Sequence, residues 1–251
     1  MPFPSASQDI PFVTKAQMVE VDRAMIEDYQ ISLIQMMENA GRNLAELARQ
    51  QFLAGSPEGK HVVLLAGRGG NGGGALVCAR HLANWGGRVS VIISRPASSY
   101  EGVPRHQLEI IRRLGIPIRT ADALDCGGNG EADLDLIVDG LIGYSLVGAP
   151  RAIAARLIRW ANAQRKPILA LDLPSGLDAT RGQPHPPTIE AEATMTLALP
   201  KTGLRTDAAR PYVGALYLAD IGVPPALYAE PDLNFEVGPI FAQSTILHIF
   251  G

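Results

Sequence analysis

At 251 residues, 47% of them apolar and 19% charged, the chain is long enough for one large α/β domain with a sizeable core. Its 22 basic and 25 acidic residues leave a net charge of −3, which supplies no electrostatic drive toward nucleic acid or an anionic membrane. No stretch approaches the roughly 20 apolar residues needed to span a bilayer, and two cysteines with five scattered histidines show no spacing suited to a transition metal.

The opening MPFPSASQDIPF has neither a basic start nor an apolar core, so it does not read as a secretory signal. Residues 1–12 are expected to form a disordered leader, and 13–251 a single cytoplasmic domain. Two helices come first. Thr14 precedes Gln17, and Ser32 precedes Gln35, both at capping-box spacing. In the second helix Leu33, Met36, Met37, Ala40, Leu44 and Leu47 recur at steps of three and four and predict a buried stripe, with the methionines as packing.

From residue 61 short apolar runs alternate with amphipathic segments. His61 to Ala66 predicts a buried strand, followed by a glycine cluster and a helix from about Leu76 to Trp85, ended by Gly86 and Gly87. Cys78 falls in the apolar pattern of that helix and reads as core, and Cys126 forms no motif with it. Val89 to Ile93 is the next strand, and Gln107 to Leu114 lies in the following helix. Leu134 to Val138 is a third strand. A helix then runs from near Pro150, at a first-turn position, to about Arg165. Ile168 to Leu171, Thr194 to Leu199 and Ala215 to Leu218 complete the strands. Such a pattern predicts a mostly parallel sheet covered on both faces. With no long helix between its last two strands, that edge is a candidate for antiparallel pairing. The tail from about Tyr228 has no assignment.

In a parallel sheet, ligands bind outside the carboxyl ends of the strands. After the first strand comes Gly67-Arg68-Gly69-Gly70-Asn71-Gly72-Gly73-Gly74. Asp139-Gly140-Leu141-Ile142-Gly143 follows the third, Asp172-Leu173-Pro174-Ser175-Gly176 the fourth and Pro200-Lys201 the fifth. All these clusters fall on one rim. Six glycines exceed the needs of a bare turn, so the first loop reads as a phosphate cradle leading into a helix N-terminus. Asp139 and Asp172 with Asn71 and Ser175 offer hard oxygen ligands, better suited to an alkali or alkaline-earth cation than to zinc. Lys201 has two readings, a partner for phosphate or a solvated edge charge.

At these residues the sequence resembles the YjeF N-terminal domain, the NAD(P)H-hydrate epimerase family. The resemblance runs from about Thr14 to Pro225. It is carried by Met37-Glu38-Asn39-Ala40-Gly41, by the loop from Gly67 with Val77-Cys78-Ala79-Arg80-His81-Leu82, and by two acidic motifs, Val138 to Gly143 and Leu171 to Asp178. It implies a Rossmann-like three-layer αβα sandwich, a homodimer, a bound potassium ion, and interconversion of the R and S forms of hydrated NADH or NADPH. The implied ion ligands are Asn71, Asp139 and Ser175. The implied substrate contacts are Gly70, Asn71, Gly72, Gly73, Gly74, Gly143, Tyr144, Ser145, Leu146, Val147, Gly148, Ala149, Asp172 and Lys201, with Asp172 as the catalytic group. The dehydratase domain of some fused relatives is not expected in this chain.

The loop departs from the family pattern Gly-x-Gly-Asn-Asn-Gly-Gly-Asp-Gly. Gly70 stands for the first Asn, Gly74 for the Asp and Ala75 for the last Gly. A non-catalytic member of the same fold, binding a nucleotide-like ligand or a partner, is therefore an alternative. Gly67-x-Gly69-x-x-Gly72 also matches the dinucleotide fingerprint of redox dehydrogenases. That fingerprint expects an acid near the end of the second strand, where this chain has Ser94-Arg95.

Overall fold

The computed structural model describes residues 3–6, 9–123 and 133–251; Cys126 lies outside them. The apolar runs build one eight-stranded sheet. Its strands are β1 (His61–Ala66), β2 (Arg88–Ile93), β3 (Ile118–Thr120), β4 (Leu134–Gly140), β5 (Ile168–Leu171), β6 (Ala193–Leu197), β7 (Ala215–Ala219) and β8 (Ile246–Phe250), in the spatial order β3-β2-β1-β4-β5-β6-β7-β8. Strands β1 to β7 are parallel and β8 runs antiparallel against β7. The sequence places the possible antiparallel edge one pair too early. β6 and β7 pair in parallel, Ala193 beside Ala215, and the reversed strand comes from the tail.

Helices α1 (Lys15–Glu27) and α2 (Leu33–Gln51) open at the expected boxes, with the Gln17 and Gln35 side chains accepting from the backbone N–H of Thr14 and Ser32 at 2.8 and 2.9 Å. α3 (Gly70–Asn84) and α4 (Gly102–Arg113) follow β1 and β2 and pack with α2 on one face of the sheet. α5 (Ala152–Ala163) covers the other face, burying Leu157, Ile158 and Ala161 against Val63, Leu65, Ile137 and Ala170. Short helices α6 (Arg210–Val213) and α7 (Pro225–Tyr228) close the fold.

Val62, Val63, Leu64, Leu65 and Ala66 are all fully buried, because a parallel strand has a helix layer over each face. Cys78 is buried in the α3 core as expected, and burial pushes its thiol well above the ordinary range.

Three expectations shift in position. Pro150 precedes the cap residue Arg151, so it lies outside α5 and not in its first turn. Leu33 is 40% exposed at the start of α2 and leaves the buried stripe, which Met36, Met37, Ala40, Leu44 and Leu47 do form. The third helix begins at Gly70, six residues ahead of Leu76, so the glycine cluster is itself helical. In the stretch read as a leader, Ala6 N–H donates to the His248 carbonyl at 2.9 Å, Phe3 meets Tyr217 edge-on, and Ile10 is buried.

Candidate active site

Between β1 and β4 the strand order reverses direction, and there the connections leave in opposite senses and open a cavity of about 470 Å³. Its walls come from the ends of the parallel strands and from α1 and α2. Gly70, Asn71 and Gly74 contribute from α3 with its cap Gly69, Gly143, Tyr144 and Ser145 from the loop after β4, Asp172 from the end of β5 and Lys201 from the segment after β6. Met18 and Asp22 of α1 and Met36 and Met37 of α2 complete it. The two α2 methionines are thus packing residues that also line the cavity.

The glycines divide into two groups. A Cβ on Gly72 would strike the Gly67 carbonyl, and one on Gly73 would strike the Met37 thioether. One on Gly74 would come within 2.8 Å of Leu171 Cδ2. Close packing of α3 under β1 and α2 therefore accounts for these three. By contrast, a Cβ on Gly69 or Gly70 meets nothing within 4 Å, because both face the cavity. The first turn of α3, with Gly69 as its cap and no side-chain cap bond, borders that space, and the unpaired N–H groups of a helix start favour an anionic group there.

Asp172 follows β5 with φ of 66°, a left-handed conformation that Asp tolerates better than most residues. Its N–H donates to the Met195 carbonyl at 2.7 Å. The turn brings its carboxylate to Lys201, whose ammonium donates to Asp172 Oδ1 and, at 2.9 Å, to the Leu197 carbonyl. Thr196 Oγ1 adds a bond of 3.3 Å to the same carboxylate oxygen. Lys201 is wholly buried and Asp172 is 2% exposed. Neither sequence reading of Lys201 anticipates this, since its first partner is a buried carboxylate.

Asp139, fully buried near the end of β4, accepts from Ser175 N–H at 2.8 Å, from the Ser175 hydroxyl at 2.7 Å and from Leu141 N–H at 3.1 Å. Burial nevertheless pushes its carboxyl up to about 6, against the opposing pull of those donors. No side-chain cation bonds to it among the described residues. Asn71 donates through Nδ2 to the Leu171 carbonyl at 2.7 Å and turns Oδ1 toward Gly143, where a Cβ would lie 2.5 Å away. Among the described residues no three His, Cys, Asp or Glu side chains gather as a metal site. The Asn71, Asp139 and Ser175 set is instead one carboxylate with neutral oxygens.

Not every implied contact lines the cavity. Gly72 and Gly73 are buried beneath it. Leu146 turns its carbonyl to Lys15 Nζ at 3.3 Å, and Val147 stands 85% exposed, while Gly148 and Ala149 also lie off the cavity wall. The sequence reading misses Asp22, Arg68, Ser94 and Arg95. Asp22 had a usable signal: Met18, Val21 and Met25, at −4, −1 and +3 on the same helix, are buried, so Asp22 sits on the inward side of α1. Its carboxylate accepts from the Tyr144 hydroxyl. Burial raises the Asp22 carboxyl above its usual range, with Asp172 adding to the effect and the Tyr144 bond and Lys201 opposing it.

Among the described residues, no helix is long and apolar enough to cross a membrane. Residues 33–203 match the family described as YjeF-related protein N-terminus. The NAD(P)H-hydrate epimerase of Dehalogenimonas lykanthroporepellens is 43% identical over 94% of this chain and 91% of its own. That of Rhodopirellula baltica is 33% identical over 86% of each. The bifunctional NAD(P)H-hydrate repair enzyme of Moorella thermoacetica is 35% identical over 88% of this chain, which spans 42% of that longer relative. The crystal structure of the yeast protein ynu0 matches with a TM-score of 0.77 and 26% identity, over 96% of this chain and 100% of the yeast one. The order of motifs, the sheet and these relatives agree: the chain belongs to the family of YjeF-related protein N-termini.

Proposed function

We propose that the chain is an NAD(P)H-hydrate epimerase, an isomerase of cofactor repair that interconverts the R and S forms of hydrated NADH or NADPH. The observation that carries this is the meeting, in one cavity, of the α3 N-terminus with the Asp172–Lys201 pair. The first suits a diphosphate, and the second places fixed charge where a reacting ring would lie. Arg68 and Arg95 at the cavity wall add positive charge for the phosphates. Ser94 and Arg95 stand where a ribose-holding acid would be expected of a redox dehydrogenase.

The hydrate bears a hydroxyl on a ring carbon beside nitrogen. Protonation of that hydroxyl expels water and leaves an iminium, and water then adds to the other face. Such chemistry needs a proton donor, a proton acceptor and negative charge facing the cation. Asp172 supplies the negative charge and can accept the proton from the incoming water. Lys201, buried beside it, holds the carboxylate in place.

A potassium ion belongs to the same proposal. Asn71, Asp139 and Ser175 would hold it, and the fit rests on Asp139, a buried carboxylate with only neutral donors among the described residues. When bound, the ion would neutralise Asp139 and offer a counter-charge to the substrate's diphosphate. A cytoplasmic homodimer is the remaining part. The homodimer draws support from large apolar side chains left exposed on the first two helices, Val19 and Ile26 on α1 and Leu33 and Ile34 at the start of α2, which a second copy could cover.

A second reading, a non-catalytic binder on this fold, draws on Gly70 and Gly74, where two polar side chains of the family loop are missing. Mixing purified S and R hydrates separately with the protein, with and without potassium, and following them by chromatography decides between the two. Equilibration well above the spontaneous rate establishes the enzyme, and equilibration no faster than buffer establishes the binder.

A further inference from the structure

Water leaves one face of the substrate ring and returns to the other, so a carboxyl on one wall of a fixed site reaches one face well and the opposite face poorly. Asp172 is also heavily engaged, accepting from Lys201 and Thr196. A group that donates a proton must carry one, and a carboxylate paired with an ammonium is an acceptor. The proton donor is therefore to be sought elsewhere in the cavity.

Asp22 meets the requirement. It enters the cavity from α1, on a different wall from Asp172 at the end of β5. Its one hydrogen bond to a side chain among the described residues is with the Tyr144 hydroxyl, from the loop after β4. The charged and titratable groups around it are Tyr144, Lys201 and Asp172, with Tyr228 of α7 also within its field.

We infer that Asp22 is a second catalytic residue of this site, the acid that protonates the departing hydroxyl, with Tyr144 holding its carboxyl in position. The inference rests on the epimerase reading and assigns within it the group that gives the proton. In one direction the proton passes from Asp22 to the hydroxyl oxygen. The C–O bond breaks with its pair leaving on water, and the ring-nitrogen lone pair closes the C=N bond of the iminium. Water then attacks from the far side, the C=N pair returns to nitrogen, and the proton released goes to Asp172. One proton has moved from Asp22 to Asp172. The reverse turnover, with donor and acceptor exchanged, or exchange with solvent restores it. Burial, the chief cause, raises the Asp22 carboxyl above its usual range and so favours the form that carries a proton.

The test uses the full chain and its Asp22→Asn and Tyr144→Phe variants, each checked for fold by circular dichroism and thermal melting. Initial rates of S-to-R and R-to-S conversion are measured from pH 5 to 9. Asp22→Asn should lower kcat by about 100-fold or more, the usual worth of a positioned acid, with KM within about threefold. It should also abolish the alkaline limb of the kcat profile, where the acid loses its proton. Tyr144→Phe should displace that limb while keeping measurable activity. A folded Asp22→Asn with near wild-type kcat and an intact alkaline limb overturns the inference. Should Asp22→Asn not fold, Tyr144→Phe decides, and an unmoved alkaline limb there also overturns it. A wild-type chain without epimerase activity is a different outcome, failing the reading of the whole site and this inference with it.

Discussion

Lys201 and Asp172 form an ion pair that almost no solvent reaches, the ammonium wholly buried and the carboxylate 2% exposed. Two charges taken from water together are tolerated because each satisfies the other. Removing one leaves the other stranded. Lys201→Met should therefore destabilise the chain by about 3–5 kcal/mol, measured by urea unfolding. The double variant Lys201→Met/Asp172→Asn should recover most of that stability and still show no epimerisation. A double variant as unstable as the single one would mean that the cost comes from lost packing.

That pair marks a limit of the sequence. Lys201 follows an apolar strand, and nothing local distinguishes a lysine that turns inward from one that snorkels out. Its partner lies 29 positions away, on the neighbouring strand. β1 and β5 were legible because parallel strands buried on both faces leave unbroken apolar runs, and β4 keeps such a run from Leu136 to Val138. β3 has three residues, and β8 interleaves His248 among its apolar positions at the sheet edge, so neither carried a signal of that strength. The start of α3 was hidden for another reason. Gly70 to Gly74 have poor helix propensity, and only their packing under Gly67, Met37 and Leu171 makes that turn helical. Asp139 and Asp172 stood out as candidates because they sit at the ends of β4 and β5, and Ser175 because it follows Asp172 in the same loop. Asp22 sits on a helix whose other acids face solvent, and the buried methionines around it were the only sign.

The two kinds of glycine predict opposite results for the same small change. Gly72→Ala must push a methyl group into the Gly67 carbonyl, a backbone atom that cannot yield without moving the end of β1. It should cost several kcal/mol, or prevent folding, as overpacking against an immovable neighbour does. Gly70→Ala places its methyl group in open space on a helix and should be stabilising by a few tenths of a kcal/mol up to about 1. Thermal melts of the two variants check this, and equal losses would contradict the assigned packing.

The same geometry governs restoration of the family loop. Gly70→Asn should be accepted without loss of stability, whereas Gly74→Asp must displace the Leu171 side chain and should lower stability by about 1–3 kcal/mol. If the site is active as it stands, Gly70→Asn alone changes epimerisation by less than about threefold. A gain of a hundredfold would show that the native loop has lost function and would favour the binding-protein reading.

Asp139 yields a prediction in pH and in salt. Its carboxyl is raised by burial from 3.8 to about 6, so between those values the folded chain holds a proton that the unfolded chain has lost. Stability rises with pH only where the unfolded state binds more protons, so here it must fall. The contribution is fully present below about pH 4 and is lost as pH rises through about 6, roughly 3 kcal/mol in all. In choline chloride, urea unfolding of the wild type should show that decline, and Asp139→Asn should lack it. If the carboxylate is a ligand of potassium, adding the ion at pH 8 stabilises the folded form in proportion to its occupancy and restores much of what was lost. Asp139→Asn removes the charge that would bind the ion and should give little response. An equal rise in stability with potassium in both proteins would take Asp139 out of the ion site and leave its raised carboxyl as a simple cost of burial.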